Sequence, residues 1–301
     1  MKISKKLIND YIDDCKDRKR LSPHSIKAYQ IDLNQFYIFI QNQEINKESL
    51  TRYINHLHQI YKPKSTKRKI ASLHAFFNYL EYEEYIEYNF LNKVKYDFKM
   101  EKVLPKIISH QDLNLFFNQL YKNLELSHSS YQRNLSLRNI AIMELLMSTG
   151  MRVSEVCHLK KENVHFHDKY IKILGKGSKE RIIQIENQTV LKALQQYYQS
   201  QENNDNEYFF TNRFHNRISE QSIRLMVNQI ASEIPLQQHM TPHMFRHSFA
   251  TMLLEEDVDI RYIQKILGHS SITITQIYTH ITSNKQREIL RDKNPRNQII
   301  A

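Results

Sequence analysis

The chain has 301 residues, a net charge of +11 and a pI near 9.4. That length allows two ordinary domains, and the basic balance points to a polyanionic partner, either nucleic acid or an anionic membrane. No run approaches the roughly 20 apolar residues of a membrane span, no signal-peptide core follows the basic start Met1 to Lys6, and Cys15 and Cys157 stand far apart with no further ligand pattern. A cytosolic protein with two reduced thiols is expected.

Both the first hundred residues and the remainder carry an excess of Lys and Arg, which suits a protein that touches DNA along its length. Residues 1–95 read as helices. Ser22-Pro23 opens one, with Ile26, Tyr29, Leu33, Phe36, Tyr37 and Ile40 at helical spacing. Asn46 or Lys47 starts another, carrying Leu50, Tyr53, Ile54 and Leu57. A third follows Pro63, from about Ser65 to Tyr82, with Ile70, Leu73, Phe76, Phe77 and Leu80 on its apolar side. A basic run around its start is ordinarily a solvated face. In the positive field of this chain, Lys64, Ser65, Lys67, Arg68 and Lys69 are expected to contact DNA phosphates. A Lys-rich stretch of little apolar periodicity, ending near Pro105, separates a helical unit over 1–95 from a second domain over 107–301, with a linker over 96–106.

The second domain opens at Ser109 with an amphipathic helix containing Leu113, Phe116, Phe117 and Leu120. Leu124 to Arg133 is polar and reads as a loop. Leu137 to Met147 is a strongly apolar core helix that stops at Ser148-Thr149-Gly150. Arg152 then sits at a junction before a new helix, either as a phosphate ligand or as a surface partner of Glu155 at i+3. Tyr170 to Leu174 and Arg181 to Ile185 read as strands joined by Gly175-Lys176-Gly177-Ser178-Lys179-Glu180. Lys176, between two glycines, fits a phosphate ligand, a proton donor or a plain turn lysine. The loop is no P-loop, which needs a longer Gly-rich run and a following helix. Val190 to Ser200 and Ser219 to Ser232 are helical again. Ser283 to Asp292 reads as a charged helix, and the apolar end Ile299-Ile300-Ala301 leads us to expect a tail over about 283–301 that docks on a neighbouring subunit.

The stretch from Thr241 to His280 concentrates chemistry-bearing residues. Thr241 is a good helix N-cap and Pro242 suits the first helical position. His243 and Arg246 share a face near that N-terminus, whose free N–H groups and partial positive charge suit a phosphate. His243 and His247 also have zinc-ligand spacing, but Arg246 lies between them and no Glu follows the first His. No metal or other cofactor is expected. Gly268 closes a helix over Asp257 to Leu267 and presents His269; Tyr278 comes nine residues later. Arg neutralises phosphate oxygens, His moves a proton near neutral pH, and Tyr is a possible covalent nucleophile. Together they suggest phosphoryl transfer, although each alone also fits a packing or capping role. The only four glycines, Gly150, Gly175, Gly177 and Gly268, all lie close to one of these residues.

The ordered set Arg152, Lys176, His243, Arg246, His269, Tyr278 closely resembles the tyrosine recombinase family, especially its Xer-type bacterial members. The matching phrases are Thr-Gly-Met-Arg-Val-Ser-Glu at 149–155, Gly-Lys-Gly-Ser-Lys-Glu-Arg at 175–181, Thr-Pro-His-Met-Phe-Arg-His-Ser-Phe-Ala-Thr at 241–251, Leu-Gly-His-Ser-Ser at 267–271 and Thr-Gln-Ile-Tyr-Thr-His at 275–280. Leu21 to Tyr29 with Asp32-Leu33, and Ser65 to Leu80, resemble the family's core-binding domain. His74 departs from it, standing where many relatives carry Arg.

The resemblance implies an α-helical, SAM-like core-binding domain and a mixed, mainly α catalytic domain with a small antiparallel β-sheet, closing as a C-shaped clamp on DNA. It implies that Tyr278 attacks the scissile phosphate to form a 3′-phosphotyrosyl link, and that Arg152 and Arg246 hold the non-bridging oxygens. Lys176 would protonate the leaving 5′ oxygen, His243 would move the proton of Tyr278, His269 would hydrogen-bond the phosphate, and Glu155 would orient the pocket. No metal is then needed, because arginines neutralise the charge, and no ATP, because the covalent link retains the phosphodiester energy. The implied partners are a specific duplex DNA site and a homo- or hetero-tetramer of subunits on two such sites, in the cytoplasm at the nucleoid and not at a membrane. The expected role is Xer-type resolution of chromosome or plasmid dimers, which the short two-domain length favours. Other readings are a mobile-element integrase with the same chemistry, a type IB topoisomerase, which the core-binding part disfavours, and a non-catalytic DNA-binding derivative, which the intact residue set disfavours.

Overall fold

The structure, a computed structural model, describes residues 2–41, 43–96, 106–174, 180–201, 205–236, 238–268 and 283–299. The chain divides between residues 96 and 106 into two compact units, each with its own core.

Among the described residues, four α-helices build the first unit: α1 (Lys5–Asp17), α2 (Pro23–Ile40), α3 (Lys47–Ile60) and α4 (Pro63–Tyr82). Their starts follow local chemistry. Ser22 caps α2 by accepting from the Ser25 N–H, with Pro23 next to it. Asn46 and Ser49 cap α3 reciprocally. α4 begins at Pro63, two residues before the expected Ser65, because proline fits the first helical position and loses no bond there. The apolar faces meet in an aromatic core containing Tyr11, Phe36, Tyr53, Phe76 and Phe77.

One buried polar cluster crosses this core and corrects an expectation. Asp32 of α2, 1% exposed, accepts from Lys69 Nζ at 2.9 Å and Ser72 Oγ at 2.8 Å, and is hydrogen-bonded by Arg68. Lys69 is also bonded to Gln35 and lies 4.6 Å from the centre of the Tyr61 ring. A lysine only 3% exposed and held this way does not face a phosphate. Lys69 ties α4 to α2, since a buried charge requires a partner. Lys64, Lys67 and Arg68 are exposed and Ser65 is half-buried.

The second unit is mainly helical with a small sheet. Its elements are α5 (His110–Glu125), α6 (Ser130–Thr149), α7 (Val153–Cys157), β1 (Val164–His165), β2 (Tyr170–Leu174), β3 (Glu180–Gln184), α8 (Gln188–Gln199), α9 (Glu220–Ser232), α10 (Pro242–Glu255), α11 (Ile260–Leu267) and α12 (Ser283–Asp292). The three strands are antiparallel in the order β1-β2-β3, with Tyr170 opposite Gln184 and Leu174 opposite Glu180. α6 is the central element and is buried from Ile140 to Thr149.

Two expectations change here. The loop expected over Leu124 to Arg133 is short, because α5 runs to Glu125 and a Ser129–Gln132 capping box starts α6 at Ser130. α11 starts at Ile260, not Asp257, because Asp257 adopts a left-handed φ of 58° and the Asp259 side chain caps the helix. The tail from Ser283 is anchored on its own unit, where Ile289, Leu290 and Ile299 are buried in the same core as α6. Among the described residues no helix is long and apolar enough to cross a membrane.

Candidate active site

α6 ends at Gly150, whose φ of +60° reverses the chain sharply. A Cβ at this position would lie 2.5 Å from Phe249 and 2.6 Å from Leu267, so glycine is required by both conformation and space. The reversal puts Arg152 at the N-cap of α7. There its backbone N–H donates to Glu155 Oε2 at 2.8 Å, its Nη1 donates to Glu155 Oε1 at 2.9 Å, and its Nη2 donates to the Gly268 carbonyl at 3.2 Å.

Arg246 arrives from α10. Thr241 occupies the N-cap of that helix but makes no side-chain cap hydrogen bond. Arg246 is 7% exposed; its Nη1 donates to the Gly150 carbonyl at 2.6 Å and its Nη2 to the Leu267 carbonyl at 2.8 Å. Leu267 and Gly268 are consecutive carbonyls at the C-terminus of α11, where helix carbonyls lack partners within the helix. Binding both of them brings the guanidiniums of Arg152 and Arg246 side by side at the residue before His269. Burial, with repulsion from Arg152, draws the pKa of Arg246 down to about 10. It remains charged at neutral pH, and an arriving anion would relieve the repulsion.

Glu155 is not a surface partner of Arg152 alone. Arg181, on β3, donates through Nη1 and Nη2 to both of its carboxylate oxygens at 2.8 Å. Burial opposes the charge on Glu155, but Arg181 and Arg152 outweigh it and hold the carboxyl below its ordinary range. Two guanidiniums bond this carboxylate and a third, that of Arg246, feels its charge, so three positive groups face one negative one and the site is built for an anion. Arg181 was not among the candidate residues. Its signal was its register: it pairs with the buried, inward-facing Ile173.

His243 is exposed on the first turn of α10. His247 is also exposed; partial burial, then His243 and Arg246, lower its pKa. Lys176, His269 and Tyr278 lie outside the described residues. The structure therefore brings together Arg152, Arg246 and Glu155 of the expected set, carried by α7 and α10 and held by carbonyls at the ends of α6 and α11. His74 is engaged elsewhere, bonded to the Tyr96 hydroxyl.

The first unit is helical around an aromatic core, and in the second, mainly α unit two arginines converge on the C-terminus of α11. The profile of the phage integrase family matches residues 114–285, and that of the phage integrase N-terminal SAM-like domain matches residues 8–84. The chain is 48% identical to a tyrosine recombinase of Agathobacter rectalis, over 96% of each chain. It is 33% identical to the tyrosine recombinase XerD of Listeria monocytogenes, over 96% of this chain and 99% of that one. The fold is similar to that of the XerH site-specific recombinase bound to a palindromic difH substrate in a post-cleavage complex, with a TM-score of 0.71, 21% identity, and coverage of 93% of this chain and 83% of that one. The chain belongs to the phage integrase family, the tyrosine recombinases.

Proposed function

We propose that this tyrosine recombinase cuts and rejoins a specific duplex DNA site in the Xer manner, resolving chromosome or plasmid dimers. The observation that carries the reading is the side-by-side placement of Arg152 and Arg246 on consecutive carbonyls just before His269. Two guanidiniums with donors to spare match the two non-bridging oxygens of a phosphodiester. The Xer name of the Listeria relative supports the biological role.

In this mechanism the Tyr278 hydroxyl attacks the scissile phosphorus. A Tyr–O–P bond forms, the bond to the 5′ oxygen breaks, and the 3′ end stays linked to the protein. His243 takes the proton from Tyr278, and Lys176 gives one to the leaving 5′ oxygen. Arg152 and Arg246 stabilise the added charge on the phosphate oxygens in the transition state, and His269 donates to the same group. The reverse reaction with a different 5′ hydroxyl joins the exchanged strand. The unit over 1–95 binds the site, with Lys64, Ser65, Lys67 and Arg68 on phosphates; the unit over 107–301 carries the chemistry. Four subunits on two DNA sites complete the exchange, at the nucleoid in the cytoplasm.

The test is covalent capture on a nicked suicide duplex carrying the host's dimer-resolution site, in EDTA, with wild type and Tyr278→Phe compared on a denaturing gel. An adduct with wild type alone is expected. An adduct only on mobile-element ends would keep the chemistry and replace the role with integration. Tight binding without an adduct on either DNA would overturn the catalytic reading.

A further inference from the structure

Arg181 stands beside the proposed phosphate site, and the mechanism above gives it no part. Its two terminal nitrogens each contact one oxygen of Glu155 at 2.8 Å. Its guanidinium also lies against Gly268: a Cβ there would be 3.0 Å from Nη1 and 3.1 Å from Cζ. Arg181 therefore touches both groups that hold Arg152, the Glu155 carboxylate and the chain at Gly268.

The geometry points to Arg181 as a positioning residue that fixes Glu155 and so sets which donors of Arg152 remain available to the scissile phosphate. This inference rests on the recombinase reading of the site.

The argument is one of lone pairs and charge. An ionised carboxylate offers about four acceptor positions. Arg181 occupies one on each oxygen, and the Arg152 backbone N–H occupies another on Oε2. Arg152 is left a single contact, through Nη1 to Oε1, and its remaining donors stay free of Glu155. Without Arg181, the buried carboxylate would have one cation to pair with. The favoured arrangement would then be a two-pronged Arg152–Glu155 pair, which draws the guanidinium off Gly268 and away from a phosphate. Arg181 also offsets the carboxylate charge, so that the positive charges of Arg152 and Arg246 are left for the anion. A fork of two parallel donors is needed for this, which lysine does not provide.

The effect should fall on cleavage more than on DNA affinity, because duplex binding is spread over many contacts. Single-turnover adduct formation on the nicked duplex, at saturating protein, should be about 100-fold slower for Arg181→Gln and about 10-fold slower for Arg181→Lys, the scale of a misplaced catalytic group. The Kd for the same duplex should stay within about threefold of wild type. The discriminating readout is a duplex with a methylphosphonate at the scissile position, which lacks the negative charge that Arg152 would meet. On it the Arg181→Gln deficit should shrink to about threefold, since charge neutralisation then matters less.

Equal cleavage of the natural phosphate by wild type and Arg181→Lys overturns the inference. So does an equal deficit on phosphate and methylphosphonate, the mark of a merely structural role. If Arg181→Gln fails to fold, the Arg181→Lys comparison on the two substrates decides alone. Absence of any wild-type adduct overturns the recombinase reading, and this inference with it.

Discussion

Arg296 and Glu144, 152 residues apart in sequence, form an ion pair with 4% and 0% of their side chains exposed. Glu144 lies on α6, and it also accepts from the Tyr121 hydroxyl at 2.7 Å. Arg296 caps the pair from the tail, with its guanidinium 4.7 Å from the centre of the Phe117 ring. Two residues earlier, Asn294 donates to the Ser148 carbonyl at 2.9 Å. The tail is thus attached to the helix whose end, Gly150, receives Arg246, and it closes the core that carries the site.

Removing Arg296 leaves Glu144 buried without a counter-charge. Arg296→Met should destabilise the protein by roughly 3–5 kcal/mol, read from urea unfolding of the DNA-free chain. Adding Glu144→Gln should recover a large part of the loss. A single-variant effect below about 1 kcal/mol would show that the tail leaves this position in solution.

Asp32 makes a parallel case in the first unit. Asp32→Asn removes the charge that faces Lys69 and should cost about 3 kcal/mol or more. Lys64→Ala with Lys67→Ala should leave stability within about 0.5 kcal/mol while reducing the slope of log affinity against log salt by about 2. Unchanged salt dependence would remove these two lysines from the DNA contact surface.

The sequence carried more of this than its basic run suggests. Capping residues and periodicity give most helices: Ser22-Pro23, Asn46 and Gly268 mark ends that the structure keeps. Lys69 reads wrongly by composition but correctly by period, since it falls on the stripe of Thr66, Leu73 and Phe76, as Asp32 falls beside Leu33 and Phe36. The start of α6 was announced by Ser129 and Gln132 at capping-box spacing, although the first turns are polar because they are exposed. Glu144, alone in an apolar helix, signals that a cation must reach it. Nothing local names Arg296 as that cation, because the pairing is set by tertiary packing across the unit. The arginine pair is likewise a tertiary product: two carbonyls at a helix end assemble it, and carbonyls leave no trace in residue identity.

The two cysteines are expected to be inert while the chain is folded. Burial, with Glu220 nearby, pushes the Cys157 thiol up to about 12, and burial also raises Cys15. Both remain protonated at neutral pH, and the thiolate is the nucleophile. Iodoacetamide at pH 7.5 should label neither residue in the native protein and both after unfolding, as read by mass spectrometry. Native labelling of Cys157 at the rate of a free thiol would contradict its burial beneath α9.

Gly150 joins the fold to the chemistry at one atom. Its left-handed backbone and the ring of Phe249 both exclude a side chain, and its carbonyl is the Nη1 acceptor of Arg246. Gly150→Ala combines the strain of a positive φ with a methyl group pressed into a filled core, for a loss of about 3 kcal/mol. The relaxation that accommodates the methyl must move either Phe249, which is on α10 with Arg246, or the chain at Gly150 itself. Either shift changes where the guanidinium sits, so adduct formation should fall about 10-fold at a temperature where the variant is fully folded. Pairing it with Phe249→Leu removes the closest clash and should return part of the stability, but not the Leu267 contact or the backbone strain. Cleavage should then recover less than stability does. If Gly150→Ala alone matches wild type in both unfolding midpoint and cleavage rate, the Gly150 carbonyl does not set the position of Arg246.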